Sequence, residues 1–149
     1  METTHCLVCP NGGDRTKRHN HLRNRVFLFS ASAGLNPELE KSGLLQPRPQ
    51  TGGASANGAA PHNASTRRPA DVYVPRWRRG LPLAMDFAVT YGIRQDATQA
   101  SIQDPSTAVT AYEDHKRNHL NTARLCSEVG LLFYPMVVEA NGGAWGPAA

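Results

Sequence analysis

From His19 onward, apolar residues recur at spacings of three and four: Leu22, Val26, Phe29 and Ala33. That spacing predicts a helix with one apolar face. Gly34 is placed to end it in a left-handed conformation. Glu38 to Leu45 reads as a short first strand, weakened by Gly43. Val72–Val74 and Leu83–Thr90 read as two further strands, the first stopped by Pro75. The connection from Arg76 to Pro82 is short, so the two strands are expected to be antiparallel neighbours. Asp104 suits an N-cap and Pro105 a first helical turn. The helix they open is expected to run to Val129 and close at Gly130. Leu131–Glu139 forms the last strand, where Pro135 marks an edge position or a bulge. The order α-β-β-β-α-β predicts an α/β domain.

Between Pro47 and Thr66 the pattern disappears. Gln-Thr-Gly-Gly-Ala-Ser-Ala-Asn-Gly-Ala-Ala-Pro carries almost no large apolar side chain. Such a segment cannot bury enough surface to offset the entropy of ordering it. Residues 47–66 are therefore expected to be a disordered insertion within a loop, because neither flank has enough chain for its own core. The 149 residues are 40% hydrophobic, which suits one globular domain. A formal charge of +4 and a pI of 9.3 lean towards a polyanionic partner such as DNA. Three cysteines cannot build a disulfide scaffold, so a reduced compartment is expected. No apolar run reaches the ~20 residues of a membrane span, and the N-terminus lacks an apolar signal core. The chain is thus expected to be neither secreted nor membrane-bound. The basic stretch Arg15–Arg25 suits nuclear import.

The candidate chemistry lies on the predicted strands and the second helix. Asp71 opens one strand and Asp86 interrupts the apolar run Leu-Ala-Met-Asp-Phe-Ala-Val of the next. A carboxylate in such a run must be paired, ligated or half-exposed, since burying it unpaired is costly. Two acids facing each other on adjacent strands can hold a hard cation through oxygen. In the alternative, Asp71 caps a turn and Asp86 pairs with an arginine. The helical stripe Val109, Tyr112, Lys116, Leu120 and Ala123 holds a lysine where a structural helix would place a leucine. Either it neutralises phosphate charge beside the acids, or it is a snorkelling side chain with a buried stem. Glu40 is a third candidate acid, or a solvated charge beside Lys41.

In this order the pieces resemble the restriction-like endonuclease domain at the C-terminal end of some non-LTR retrotransposon reverse transcriptase proteins. That domain belongs to the PD-(D/E)XK nuclease superfamily. The resemblance spans Arg18-His19-Asn20, Glu40, Arg68-Pro69-Ala70-Asp71 and Leu83–Thr90. It continues through Tyr112–Lys116 and Phe133–Glu139, then Gly-Gly-Ala-Trp-Gly. It implies a central mixed sheet flanked by helices, spanning residues 19–149. It implies that Asp71 and Asp86 are ligands of Mg²⁺ or Mn²⁺, with Lys116 catalytic and Glu40 assisting. The lysine stands on the helix because the position two after Asp86 is Ala88. The basic neighbours His115 and Arg117 are the alternatives for its role.

Residues 1–18 read as an irregular N-terminus. His5, Cys6 and Cys9 invite three readings: half of a zinc site completed by His19 and His21, the downstream remnant of a zinc knuckle, or free thiols. As a knuckle remnant, His5 and Cys9 form a partial zinc site too incomplete to hold the metal. Arg76-Trp77-Arg78-Arg79 either contacts nucleic-acid phosphates and stacks on a base, or is a solvated hairpin tip. Two functions stand at this point. One is a metal-dependent DNA endonuclease, nuclear if functional. The other is a catalytically inactive fragment, without the polymerase, that only binds nucleic acid.

Overall fold

The computed structural model describes residues 14–46, 69–91, 103–140 and 142–149. His5, Cys6, Cys9 and the 47–66 insertion lie outside the described residues. A four-stranded mixed sheet in the order β1-β2-β3-β4 carries helices on both faces. The strands are β1 (Glu38–Leu39), β2 (Val72–Val74), β3 (Leu83–Thr90) and β4 (Leu132–Glu139). The helices are α1 (Asp14–Ser32), α2 (Thr107–Asn118) and α3 (Thr122–Glu128). β2 and β3 form the expected antiparallel pair, with Val72 opposite Met85 and Val74 opposite Leu83. β3 and β4 run parallel over their whole length. Parallel neighbours need a crossover, and α2 with α3 lies within it.

The alternation of side chains along β3 divides the core in two. Val72, Val74, Leu83, Met85 and Phe87 pack with Leu22, Val26 and Phe27 of α1. On the other face, Ala84 packs with Cys126 and Phe133, and Ala88 with Val109 and Val137. Asp86, between Ala84 and Ala88 in register, therefore faces α2. Cys126 is a core residue, as its place near the helix's apolar face suggests.

Four expectations need correction. The first strand stops at Leu39, because Glu40 takes a positive φ of 49° and turns the chain out of the sheet. In α1 the face against the sheet is Leu22, Val26, Phe27 and Ser30, while Phe29 is 68% exposed and Ala33 is exposed. The predicted helix from Pro105 to Val129 is two helices. Leu120 and Asn121 both take left-handed conformations, with φ of 54° and 55°, and Leu120 lies exposed outside the expected stripe. Its N-terminus lies at Thr107, and Asp104 caps the turn before it by accepting from the Ser106 N–H at 2.8 Å. Pro135 does lie in an edge strand of the sheet, opposite Asp86. Gly34 ends α1 with a positive φ of 74°, as expected. Among the described residues no helix is long and apolar enough to cross a membrane.

Candidate functional site

Asp71 stands at the point where β2 begins, and β3 runs on past it. Its main-chain carbonyl accepts from the Glu40 N–H at 2.9 Å. Its carboxylate Oδ2 accepts the Phe87 N–H at 2.7 Å. The carboxylate thus serves a strand amide that a backbone carbonyl would ordinarily take, so this buried donor is satisfied. The register of β2 and β3, continued by one residue, sets Asp71 across from Asp86. The two carboxyl groups are near enough for the charge of Asp71 to act on Asp86.

Lys116 reaches this pair from α2. Its Nζ lies 2.7 Å from Asp86 Oδ2 and also donates to the Phe87 carbonyl at 3.3 Å. Its side chain is only 16% exposed. His115 and Arg117 are engaged elsewhere. The His115 ring lies against Tyr112 and His119, and Arg117 pairs with Glu113 at 3.5 Å. Of the three neighbouring basic residues, Lys116 is the one paired with Asp86.

On the other side of Asp71, His19 Nε2 of α1 lies 3.5 Å from Oδ1. In the sequence His19 suggests only a zinc ligand or part of the Arg18-His19-Asn20 motif at the start of the helix. A polar residue near the start of a helix gives no signal that it will meet an acid more than fifty positions away. Glu40 is joined to Asp71 through its backbone, but its carboxylate turns to Arg23 of α1, 2.8 Å from the guanidinium. It sits at the rim of the cluster. Arg76, Arg78 and Arg79 lie exposed at the hairpin tip, at the opposite end of β2 from Asp71. Arg76 is five positions from Asp71, with the three residues of β2 between them, so an extended path puts it up to about 17 Å away. Trp77 packs its ring on the α1-side core, and its indole N–H is buried without a partner among the described residues. His21 lies exposed on α1.

The electrostatics separate the two acids. Burial pushes the Asp86 carboxyl above the ordinary carboxylate range, and the neighbouring Asp71 adds to this, against the pull of Lys116. Burial acts on Asp71 in the same sense. There the hydrogen bonds from His19 and the Phe87 amide, with the charges of His19 and Lys116, outweigh it and hold the group low. Two carboxyls sharing one site commonly split in this way. His19 is raised above its usual value by its hydrogen bond to Asp71, against burial and the charges of Arg23 and Lys116.

A raised histidine contributes stability that is complete below its unfolded value and is lost as pH rises through its folded value. The metal-free protein is therefore expected to lose stability as pH rises from about 6.5, with His19→Gln flattening that slope. The pair is partly exposed, so the effect is under about 1 kcal/mol. Melting temperatures of both proteins across this range check it, and parallel curves would refute the coupling.

The donor set fits a hard divalent cation. Two carboxylates and the Phe87 main-chain carbonyl supply oxygen, and Asp86 is raised chiefly by its burial, with the charge of Asp71 adding to it. No group of three or more His, Cys, Asp or Glu side chains gathers as a metal site among the described residues. No protein-family model, curated protein or solved structure matches this chain. The fold and site therefore define an α/β protein with a paired-acid and lysine cluster built from the start of β2, the middle of β3 and α2.

Proposed function

We propose that this chain is a metal-dependent DNA endonuclease domain with a restriction-like fold, of the kind carried by non-LTR retroelements. The observation that carries the reading is the position of Lys116 Nζ, 2.7 Å from Asp86, beside a second acid in register. A snorkelling lysine would send its ammonium to water, whereas this one is turned inward to the acids.

Asp71 and Asp86 would hold Mg²⁺ or Mn²⁺, which supplies water activation and neutralises charge on the scissile phosphate. Lys116 places a fixed positive charge where the phosphate's oxygens gain charge in the transition state. His19 and the Phe87 amide hold the Asp71 carboxylate in one orientation and keep it ionised. Glu40, joined to Asp71 through the backbone, assists from the rim. The exposed arginines of the hairpin tip serve the phosphate backbone away from the cut, and a nuclear location follows from a DNA substrate.

The test is nicking of supercoiled plasmid by the purified chain with Mg²⁺ or Mn²⁺, beside a chelator control and Asp71→Ala. Nicking by the wild type is expected, with chelator or substitution lowering the rate by about a hundredfold or more. Equal inactivity of both proteins, with circular dichroism unchanged, would sink the enzyme and leave DNA binding alone.

A further inference from the structure

The C-terminal segment Gly142–Ala149 returns to the far side of the sheet. Trp145 forms a bridge with Val138 on the outer edge of β4. The Glu139 N–H donates to the Ala144 carbonyl at 2.9 Å, and the Gly146 N–H donates to the Val137 carbonyl at 2.8 Å. Ala144 packs against the cluster of Ala88, Val109 and Val137. The segment then meets α2. Glu113, only 2% exposed, accepts the Ala148 N–H at 3.0 Å through Oε1. The chain passes so close that a Cβ at Gly146 would overlap Glu113 Oε1. An acid this deeply buried on a short helix is expensive unless it is bonded. Here its partners are a backbone amide of the tail and Arg117 one turn along.

Glu113 and Lys116 are three residues apart, so they lie on neighbouring lines of one helix face. α2 packs chiefly on β4 and only lightly on β3. Lys116 must nonetheless reach Asp86 on β3. Just beyond Asn118 the helix breaks at the left-handed Leu120 and Asn121, so nothing downstream in α2 itself fixes its rotation. Upstream, Val109 packs in the core with Ala88 and Val137, and the tail meets the helix at Glu113.

We propose that Glu113 is a positioning residue: by tying the C-terminal segment to α2, it sets the rotation of the helix that holds Lys116 over Asp86. In the catalytic sense this rests on the endonuclease reading, but the positioning itself has a readout that needs no activity. The chain has three lysines, Lys17, Lys41 and Lys116, so each can be followed separately by mass spectrometry after brief acetylation. The Lys41 side chain is 40% exposed, with its ammonium on the surface acid Glu38, whereas that of Lys116 is 16% exposed.

In the full chain, Glu113→Ala and Gly146→Ala are each expected to raise the acetylation rate of Lys116 relative to Lys41 on the order of tenfold. Glu113→Gln keeps the acceptor for the Ala148 amide and is expected to restore protection. Hydrogen exchange at the Gly146 and Ala148 amides reports whether the tail has come free. In the nicking assay the first two variants are expected to lower kcat roughly ten- to a hundredfold with KM unchanged. A freed tail with Lys116 still protected would overturn the proposal. So would an equal rise at all three lysines, which would mean general loosening. If wild type does not nick but Lys116 is selectively unmasked as described, the endonuclease reading fails and the positioning role stands.

Discussion

Asp86→Asn is expected to make the metal-free protein more stable while abolishing its response to divalent metal. Burial and the adjacent Asp71 push the Asp86 carboxyl upward in the folded state, so the ionised form is disfavoured there. The linkage sign follows: above its unfolded value near pH 4, ionised Asp86 costs folding free energy, and a neutral amide of the same shape does not. Lys116 keeps the Phe87 carbonyl as an acceptor and remains close enough to Asp71 to act on its charge. A structural ion pair predicts the opposite, because removing one partner strands a buried charge. Thermal melts at neutral pH with and without Mn²⁺ decide between them. A rise in melting temperature for Asp86→Asn without metal, no further rise with metal, and a nicking rate lower by about 10²–10³-fold are expected together. A destabilised variant would mean that the Asp86–Lys116 pair is there for the fold.

Phe87→Ala should cost about 3–5 kcal/mol of folding stability. The ring is 2% exposed and lies at the centre of the α1-side cluster. Total stabilities of about 5–15 kcal/mol leave little after such a loss. The residue also links core to site, since its amide holds Asp71 and its carbonyl accepts from Lys116. Phe87→Leu, which keeps most of the volume, should cost less and keep both backbone contacts. Urea denaturation measures the difference. A loss below about 1 kcal/mol for the alanine variant would contradict the packing described here.

The strands β2 and β3 were legible residue for residue, because prolines bound two dense apolar runs and a short connection leaves an antiparallel hairpin as the simplest arrangement. β1 was overread. Nothing in Glu38–Leu45 announces that Glu40 takes a left-handed conformation, which few residues other than glycine adopt. The break after α2 was invisible for the same reason, since Asn118-His-Leu-Asn121 contains neither glycine nor proline. In α1 the spacing of three and four fitted two overlapping faces, and contact with the sheet chose the one containing Phe27 over Phe29.

Asp86 and Lys116 stood out because each violates an apolar pattern, and Asp71 because it opens the neighbouring strand; the structure brings all three together. His19 and Glu113 violated no pattern. Polar side chains on helices read as solvent-facing, and only the tertiary arrangement shows one meeting Asp71 and the other buried under the C-terminal segment.

Leu45 and Ala70 are both buried in one cluster with Ala84, Cys126 and Phe133. The two ends of the stretch between them are therefore anchored in the same core, whatever path the intervening residues take. Both anchors belong to the core itself. Added residues there tax neither the hairpin that presents the acids nor the helix that presents the lysine.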